Sequence, residues 1–132
     1  ISQRAVKRQL MGIDFRDYEN VVWISKSFGT ILAVLSQEAF CISPRHLFLT
    51  PLPETLTKIP PNTKIIALVL GTQDRFLSGE ALAAFCEKQN CCCCLIDGVN
   101  HSLKDEQSVE HTERIIEQIA AFCDGIDRTD SA

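Results

Sequence analysis

Short apolar strands alternate with helical patterns along this chain, and this alternation restricts the folds open to it more than any other feature. Residues 21–24 are rich in β-branched side chains, and residues 64–70 are apolar at nearly every position. Strands that are apolar on both faces and joined through helices are typical of a parallel sheet covered on both sides. The sequence therefore predicts an α/β fold, with a mostly parallel sheet and helices on both faces in three αβα layers.

The predicted elements run in the order helix, strand, helix, strand, strand, helix, strand, helix. The strands are expected at 21–24, 46–50, 64–70 and 91–96, and the helices at 3–12, 28–40, from Ser78, and from Ser108 to a stop at Gly125. The proline-rich stretch 51–63 predicts a crossover with little or no helix, apart from one turn near Glu54. No repeat or linker divides the chain, so residues 1–132 are expected to form a single domain. The apolar face of the last helix is predicted to contain Val109, Thr112, Ile116, Ile119 and Cys123.

Charge and composition argue against several classes of partner. The net charge is −4 without a basic run, so neither nucleic acid nor an anionic membrane has electrostatic support as a partner. No apolar stretch is long enough to span a bilayer, and the first residues lack the order of a secretory signal. Seven cysteines, four of them contiguous at 91–94, favour free thiols and a cytoplasmic location.

The segment from Ser25 to Gly29 matches a nucleophile elbow, the strand-to-helix turn written G-x-S-x-G. Ser25 takes the place of the first glycine, and Ser27 takes the central position. Small residues on either side are expected to let a strained turn form without collision. The alternative is an ordinary strand–helix turn in which Ser27 only caps the helix.

An acid and a histidine follow later strands of the same predicted sheet. Asp74 comes just after the strand at 64–70, and His101 follows the strand at 91–96. The carboxyl ends of parallel strands meet at one edge, where ligands bind in open α/β sheets. Asp74 could instead be a turn residue or a partner for Arg75. Asp97 is a rival acid, ranked behind Asp74 because it lies only four residues before His101.

Three segments together resemble the α/β-hydrolase superfamily, especially its small members with minimal lids. They are VVWISKSFGT, LVLGTQDRF and LIDGVNHSL, in the order nucleophile, acid, histidine. The resemblance implies acyl transfer, in which Ser27 attacks a carbonyl, His101 moves the proton and Asp74 orients the imidazole. It also implies that the backbone amide of Phe28 forms part of an oxyanion hole, and it requires no cofactor or metal.

The expected function is hydrolysis of an ester or thioester of a small substrate. The short connection at 51–63 leaves little room for a lid domain, which favours an open site, and Leu52, Phe76 and Leu103 are predicted to form its apolar wall. A non-catalytic, hydrolase-like binding or interaction module is the alternative function.

The resemblance leaves the amino-terminal part of the fold unaccounted for. A complete α/β hydrolase has further strands before the elbow strand, whereas only twenty residues precede Val21 here. We therefore expect the fold to be N-terminally incomplete in this chain. We also expect a further N-terminal segment or a partner copy in a homo-oligomer to cover the exposed sheet edge.

Several other conspicuous residues are predicted to have ordinary roles. The side chains of residues 91–94 would alternate between two faces of a strand, which favours core packing over one zinc site. His46, His111 and Lys26 are expected to be solvated rather than catalytic.

Overall fold

The computed structural model of the chain describes residues 21–130, so the helix predicted at 3–12 lies outside the described part. Four parallel strands pair in the order β1-β2-β3-β4. These are β1 (Val22–Lys26), β2 (Arg45–Leu49), β3 (Lys64–Gly71) and β4 (Cys93–Ile96). The helices are α1 (Phe28–Ala39), α2 (Pro53–Lys58), α3 (Gly79–Gln89) and α4 (Val109–Asp130). The predicted α/β fold with a parallel sheet is confirmed.

The sheet is packed on both faces, as the apolar strand pattern requires. On one face, side chains of α1 and α3 such as Val34 and Leu82 pack with Phe48 and Leu68 of the sheet. On the other face, Ile115 of α4 packs with a second cluster of strand residues. Each large side chain fully buried in such a core contributes about 1.5–3 kcal/mol. The result is three layers, with the strand ends left free to carry loops.

The proline-rich crossover contains more helix than the sequence predicts. Pro53 begins the six-residue helix α2, where its missing N–H would have had no intrahelical acceptor in any case. The buried Thr55 hydroxyl accepts a hydrogen bond from the backbone N–H of Leu52 at 3.1 Å and closes the first turn. Two other boundaries also differ from prediction, since β4 starts at Cys93 and α4 continues past Gly125 to Asp130.

The buried face of α4 is rotated relative to the predicted one. Ile115 is 1% exposed, whereas Val109 is 75% and Ile116 59% exposed. Thr112 faces inward as predicted, and its hydroxyl accepts a hydrogen bond from the backbone N–H of Asp105 at 2.8 Å. The inward row thus runs through Thr112, Ile115 and Ile119, so the prediction was wrong in taking Ile116 instead of its neighbour Ile115. The side chain of Cys123, also predicted on this face, lies outside the described part.

His46 is buried, so the prediction that it is solvated is wrong. Its Nε2 lies 2.9 Å from Oε1 of Gln37. The amide nitrogen of Gln37 donates a hydrogen bond to Thr63 Oγ1. The imidazole stacks on Phe48 at a centroid distance of 4.7 Å and meets Trp23 edge-on. Burial lowers the pKa of His46 to about 4, because a charged imidazole would lose its hydration there.

The side chains of residues 91–94 alternate as the sequence predicts, but the predicted core packing is confirmed for only part of the run. Cys91 and Cys93 pack against the core that contains Cys86, whereas Cys92 and Cys94 are exposed. Burial raises the pKa of the Cys86 and Cys91 thiols. Within residues 21–130, no three His, Cys, Asp or Glu side chains are grouped so that they could hold a metal ion.

The strand β1 forms one edge of the described sheet, and Ile24 on this strand is 54% exposed. What covers this edge remains a prediction. None of the described helices is both long and apolar enough to cross a bilayer.

Candidate active site

Three loops meet at the carboxyl-terminal edge of the sheet. Ser27 lies directly after β1, Asp74 lies in the loop at 72–78 after β3, and His101 lies in the loop at 97–108 after β4. We call the last two the Asp74 loop and the His101 loop. Because all four strands are parallel, their carboxyl ends lie along the same edge. The strand order therefore brings together side chains that are far apart in sequence.

Ser27 has a backbone conformation that non-glycine residues rarely adopt, with φ 54° and ψ −124°. Such a conformation costs about 1–3 kcal/mol and persists only where the surroundings enforce it. Here the N–H of Ser27 donates to the carbonyl of Leu49 at 3.0 Å. The carbonyl of Ser27 accepts from both the N–H and the hydroxyl of Thr30, at 3.0 and 2.6 Å. The turn thus has the strained geometry of the predicted elbow.

The residues flanking the elbow fit the prediction less closely. A Cβ built on Gly29 meets no heavy atom within 4 Å, so the described surroundings do not require glycine there. The hydroxyl of Ser25 is buried without a hydrogen-bond partner in the described part of the chain.

Ser27, His101 and Asp74 form one continuous row of hydrogen bonds. Ser27 Oγ lies 2.7 Å from His101 Nε2, and His101 Nδ1 lies 2.6 Å from Asp74 Oδ2. The imidazole is 19% exposed, and the carboxylate of Asp74 is 0% exposed. Oδ1 of Asp74 accepts hydrogen bonds from the backbone N–H groups of Phe76 and Leu77. Hydrogen bonds to both of its oxygens therefore hold the carboxylate in one orientation.

The alternatives that the sequence left open are resolved by these contacts. The side chain of Ser27 makes no capping hydrogen bond to α1. Asp74 does organise its own turn, but its second oxygen faces the imidazole. The rival Asp97 instead accepts from the hydroxyl of Thr72 at 3.1 Å and is exposed. Only Asp74 of the two acids contacts His101.

Asn100 shapes the His101 loop, a role that sequence reasoning missed. Its side-chain Oδ1 accepts from the backbone N–H groups of Ser102 and Lys104, each at 3.0 Å. Its backbone N–H donates to the carbonyl of Lys104, and its carbonyl accepts from the N–H of Leu103. The frequency of asparagine in tight turns was the available signal. These bonds fix the backbone on both sides of His101.

A close backbone approach holds the Asp74 loop against the His101 loop. A Cβ added to Gly71 would lie 2.2 Å from the carbonyl oxygen of Val99, so only glycine fits there. The same carbonyl accepts from the N–H of Gln73, and the N–H of Thr72 donates to Ile96. The relative position of Asp74 and His101 therefore depends on this contact between the two loops.

Comparisons with known proteins identify the architecture. The sequence matches no protein-family model and no curated protein. Among solved structures, it superposes on a protein of unknown function from Agrobacterium tumefaciens, described as a candidate α/β hydrolase, with TM-score 0.65 and 15% identity over 96% of this chain. It also superposes on a lidless α/β serine hydrolase from Xanthomonas campestris, with TM-score 0.60 and 16% identity over 95% of this chain.

A third match is an esterase from Thermogutta terrifontis, solved with butyrate bound, with TM-score 0.55 and 14% identity over 94% of this chain. The chain has the α/β-hydrolase fold. It spans 57% of the Agrobacterium chain, 54% of the Xanthomonas chain and 63% of the Thermogutta chain.

Within this α/β-hydrolase fold, the predicted oxyanion donor lies at the start of α1. Phe28 is the first residue of that helix, where backbone N–H groups have no intrahelical acceptor. Its side chain is 52% exposed and lies beside the elbow. The helix dipole adds partial positive charge at the same place.

The three residues predicted to form an apolar substrate wall lie in different environments. Phe76 is 53% exposed and meets the His101 ring edge-on at a centroid distance of 4.7 Å, so it lies at the site. Leu52 is half-buried at the start of α2, where substrate contact stays a prediction. Leu103 is only 6% exposed and packs with Val99 in the second core. Its predicted place on the wall is therefore wrong, because the loop turns it inward at φ 58°.

An open depression of about 830 Å³ lies beside His101 at this edge of the sheet. Its lining is mainly polar, in contrast to the apolar wall that the sequence predicts. The residues are Gln73, Arg75, Phe76, Gly98, Asn100, His101, Ser102, Lys104, Asp105, Glu106 and Gln107.

Two residues predicted to be solvated have partners near this depression. His111 Nδ1 lies 2.7 Å from Asp105 Oδ2, and this hydrogen bond lowers the pKa of Asp105. Lys26 is exposed, and its Nζ donates to the carbonyl of Ser102 at 3.3 Å.

Proposed function

We propose that this protein is a serine hydrolase that cleaves an ester or thioester of a small substrate. The observation that carries the proposal is the continuous row of hydrogen bonds from Ser27 through His101 to the buried carboxylate of Asp74. A serine hydroxyl is scarcely ionised at neutral pH and needs an adjacent base to act as a nucleophile. The imidazole at 2.7 Å is within reach for that proton transfer.

The first half of the reaction forms an acyl-enzyme. Ser27 Oγ attacks the substrate carbonyl carbon while His101 Nε2 takes the hydroxyl proton. The carbonyl oxygen gains negative charge, which the N–H of Phe28 at the start of α1 would stabilise. His101 then gives the proton to the leaving alcohol or thiol as its bond to the carbonyl carbon breaks.

The second half returns the enzyme to its starting state. A water molecule gives a proton to His101 and attacks the acyl carbon, and the acid product leaves as Ser27 recovers its proton. Asp74 keeps the Nδ1 proton on the side away from the serine and stabilises the imidazolium that forms in each half. Its two backbone donors prevent the carboxylate from turning away.

Free thiols at the described cysteines support a reducing compartment, and we propose a cytoplasmic location on that basis.

The test is covalent labelling with a fluorophosphonate, read by intact mass. We expect one adduct on the parent chain and none on Ser27→Ala, because only an activated serine attacks phosphorus quickly. Ser102→Ala is the matched control, since it removes an exposed hydroxyl from the His101 loop while its backbone bond to Asn100 remains. An adduct that survives in Ser27→Ala would contradict the proposal. No adduct on the parent would favour the non-catalytic interaction module instead.

A further inference from the structure

We propose that the depression beside His101 receives the leaving group, and that Arg75 and Lys104 select leaving groups with a carboxylate or phosphate. This inference rests on the proposed hydrolase function and adds a substrate class to it. The substrate would be an ester or thioester whose alcohol or thiol part is an anion.

The position of the depression assigns it to the leaving group rather than to the acyl group. In acyl transfer the histidine protonates the leaving group, which therefore departs beside the imidazole. Among the described residues, the lining comes from the Asp74 loop and the His101 loop, and includes the imidazole of His101 itself. Ser27 and Phe28, which would contact the carbonyl and its oxygen, are not part of that lining.

Two cationic side chains line the depression without a carboxylate partner. Neither Arg75 nor Lys104 forms an ion pair in the described part of the chain. The guanidinium carbon of Arg75 lies 6.0 Å from the ring centroid of Phe76, whose ring contacts His101. Arg75 is thus linked to the imidazole through one aromatic ring. The ammonium group of Lys26 is a third cation beside the depression, since its Nζ donates to the carbonyl of the lining residue Ser102.

Two carboxylates also line the depression, but both are already engaged by the chain. Asp105 binds His111 Nδ1 through one oxygen at 2.7 Å and the N–H of Gln107 through the other at 2.9 Å. Glu106 accepts a hydrogen bond from the amide of Asn100 at 3.1 Å. Hydrogen bonds to the chain hold these acids in place, whereas the guanidinium and ammonium groups retain donors for a ligand.

The chemistry of these donors favours an oxyanion as ligand. A guanidinium presents paired N–H groups that match the oxygens of a carboxylate or phosphate, and an ammonium adds a compact positive charge. The neutral lining residues Gln73 and Ser102 are also polar, so an aliphatic leaving group would gain little burial there.

The experiment compares matched thioesters on the parent chain. S-acetyl-3-mercaptopropionate has an anionic leaving group, and S-acetyl-3-mercaptopropionamide is its neutral counterpart. A second pair, S-methyl thiosuccinate and its amide, moves the charge to the acyl side. We expect kcat/KM to be about tenfold higher for the anionic leaving group, and the advantage to shrink in high salt. The acyl-side pair should differ by less than about twofold, since solvated charges outside the depression contribute little.

Variants assign the preference to individual side chains. Arg75→Gln and Lys104→Gln should each reduce the anion-to-amide ratio of kcat/KM about threefold. Lys88→Gln is the matched control, because this exposed lysine lies in the last turn of α3, outside the lining. Glu106→Gln keeps an oxygen acceptor for Asn100 and removes a negative charge, so the ratio should rise.

The outcomes separate this inference from the function on which it rests. Equal rates on both leaving groups, with Ser27 labelled by the phosphonate, would overturn the leaving-group assignment and keep the hydrolase. A ratio that falls equally in Lys88→Gln would also overturn it, because the effect would then follow net charge alone. An S-acetyl derivative of 2-mercaptoethyl phosphate distinguishes the two anions, and a preference for either supports the inference. Failure of all thioesters and of labelling would overturn both proposals.

Discussion

The two ends of the sheet each hold a histidine, and the two imidazoles have very different surroundings. At the carboxyl end, His101 lies between a carboxylate and a hydroxyl and is 19% exposed. At the amino end, His46 near the start of β2 is 0% exposed, with an amide oxygen as its side-chain partner and an aromatic ring on its face. The first ring has a proton donor, a proton acceptor and access to solvent. The second has tight packing and no room for charge.

One residue type therefore has two different roles in the same sheet. Polar groups of the Asp74 loop and the His101 loop form hydrogen bonds with each other at the carboxyl edge of the sheet. Substitutions in these loops should therefore affect reactivity more than folding. His46 is packed among core side chains of the opposite end, so changes there should affect folding more than reactivity. Three predictions test this division, in order of decreasing effect.

The largest effect is expected from Asp74→Asn. An amide cannot hold the Nδ1 proton in the orientation that leaves Nε2 free, so kcat should fall by about 10⁴. The measurement is hydrolysis of an activated thioester by equal amounts of folded protein. Asp97→Asn is the control, and it should stay within a fewfold of the parent, since Asp97 contacts Thr72 rather than His101. Equal losses in both variants would contradict the assignment of Asp74.

The second prediction concerns acid and His46. Below pH 6.5 the unfolded chain binds a proton on this imidazole, whereas the folded chain excludes that proton until about pH 4. The free energy of unfolding should therefore fall as the pH is lowered through this window. At pH 5 the contribution of His46 should have lowered it by about 2 kcal/mol relative to neutral pH.

The measurement for His46 is urea unfolding at pH 7.5 and pH 5, for the parent and for His46→Phe. The variant should lose less stability between the two pH values, while its phosphonate labelling at pH 7.5 stays close to that of the parent. An unchanged pH dependence in the variant would show that another group is responsible.

The smallest effect is expected from Asn100→Ala, which removes the acceptor for two backbone N–H groups beside His101. Lost hydrogen bonds of this kind cost about 1 kcal/mol, and a less well placed imidazole should reduce kcat about tenfold with little change in KM. Asn100→Asp keeps the acceptor but puts a carboxylate where the Asn100 amide donates to Glu106, so it should recover only part of the activity. A loss that appears only in KM would assign Asn100 to substrate binding instead.

Much of the fold could be predicted because the strands are short, apolar and separated by clear turn signals. The strand β3 was predicted almost to the residue, since an apolar run that ends at Gly71 has few other interpretations. The face of α4 was harder, because Ile115 and Ile116 are adjacent and the predicted row took the exposed Ile116 instead of the buried Ile115. Periodicity ranks positions by hydrophobicity alone and cannot choose between two adjacent isoleucines.

The site was predictable where it depended on the order of strands, and unpredictable where it depended on contacts between loops. Ser27, Asp74 and His101 were placed together because each follows a parallel strand. The inward turn of Leu103 and the contact of Gly71 with Val99 depend on how two loops pack, which no local pattern reports. The burial of His46 likewise follows from the central position of β2, not from its neighbours in sequence.

The spacing of the hydrogen-bonded row also bears on the order in which the chain is made. Ser27 and His101 are 74 residues apart, and Asp74 and His101 are 27 apart. A ribosome synthesises the serine first and its imidazole partner last. The serine thus lacks its base until most of the described chain has been translated, and no partial product that ends before His101 contains the complete row.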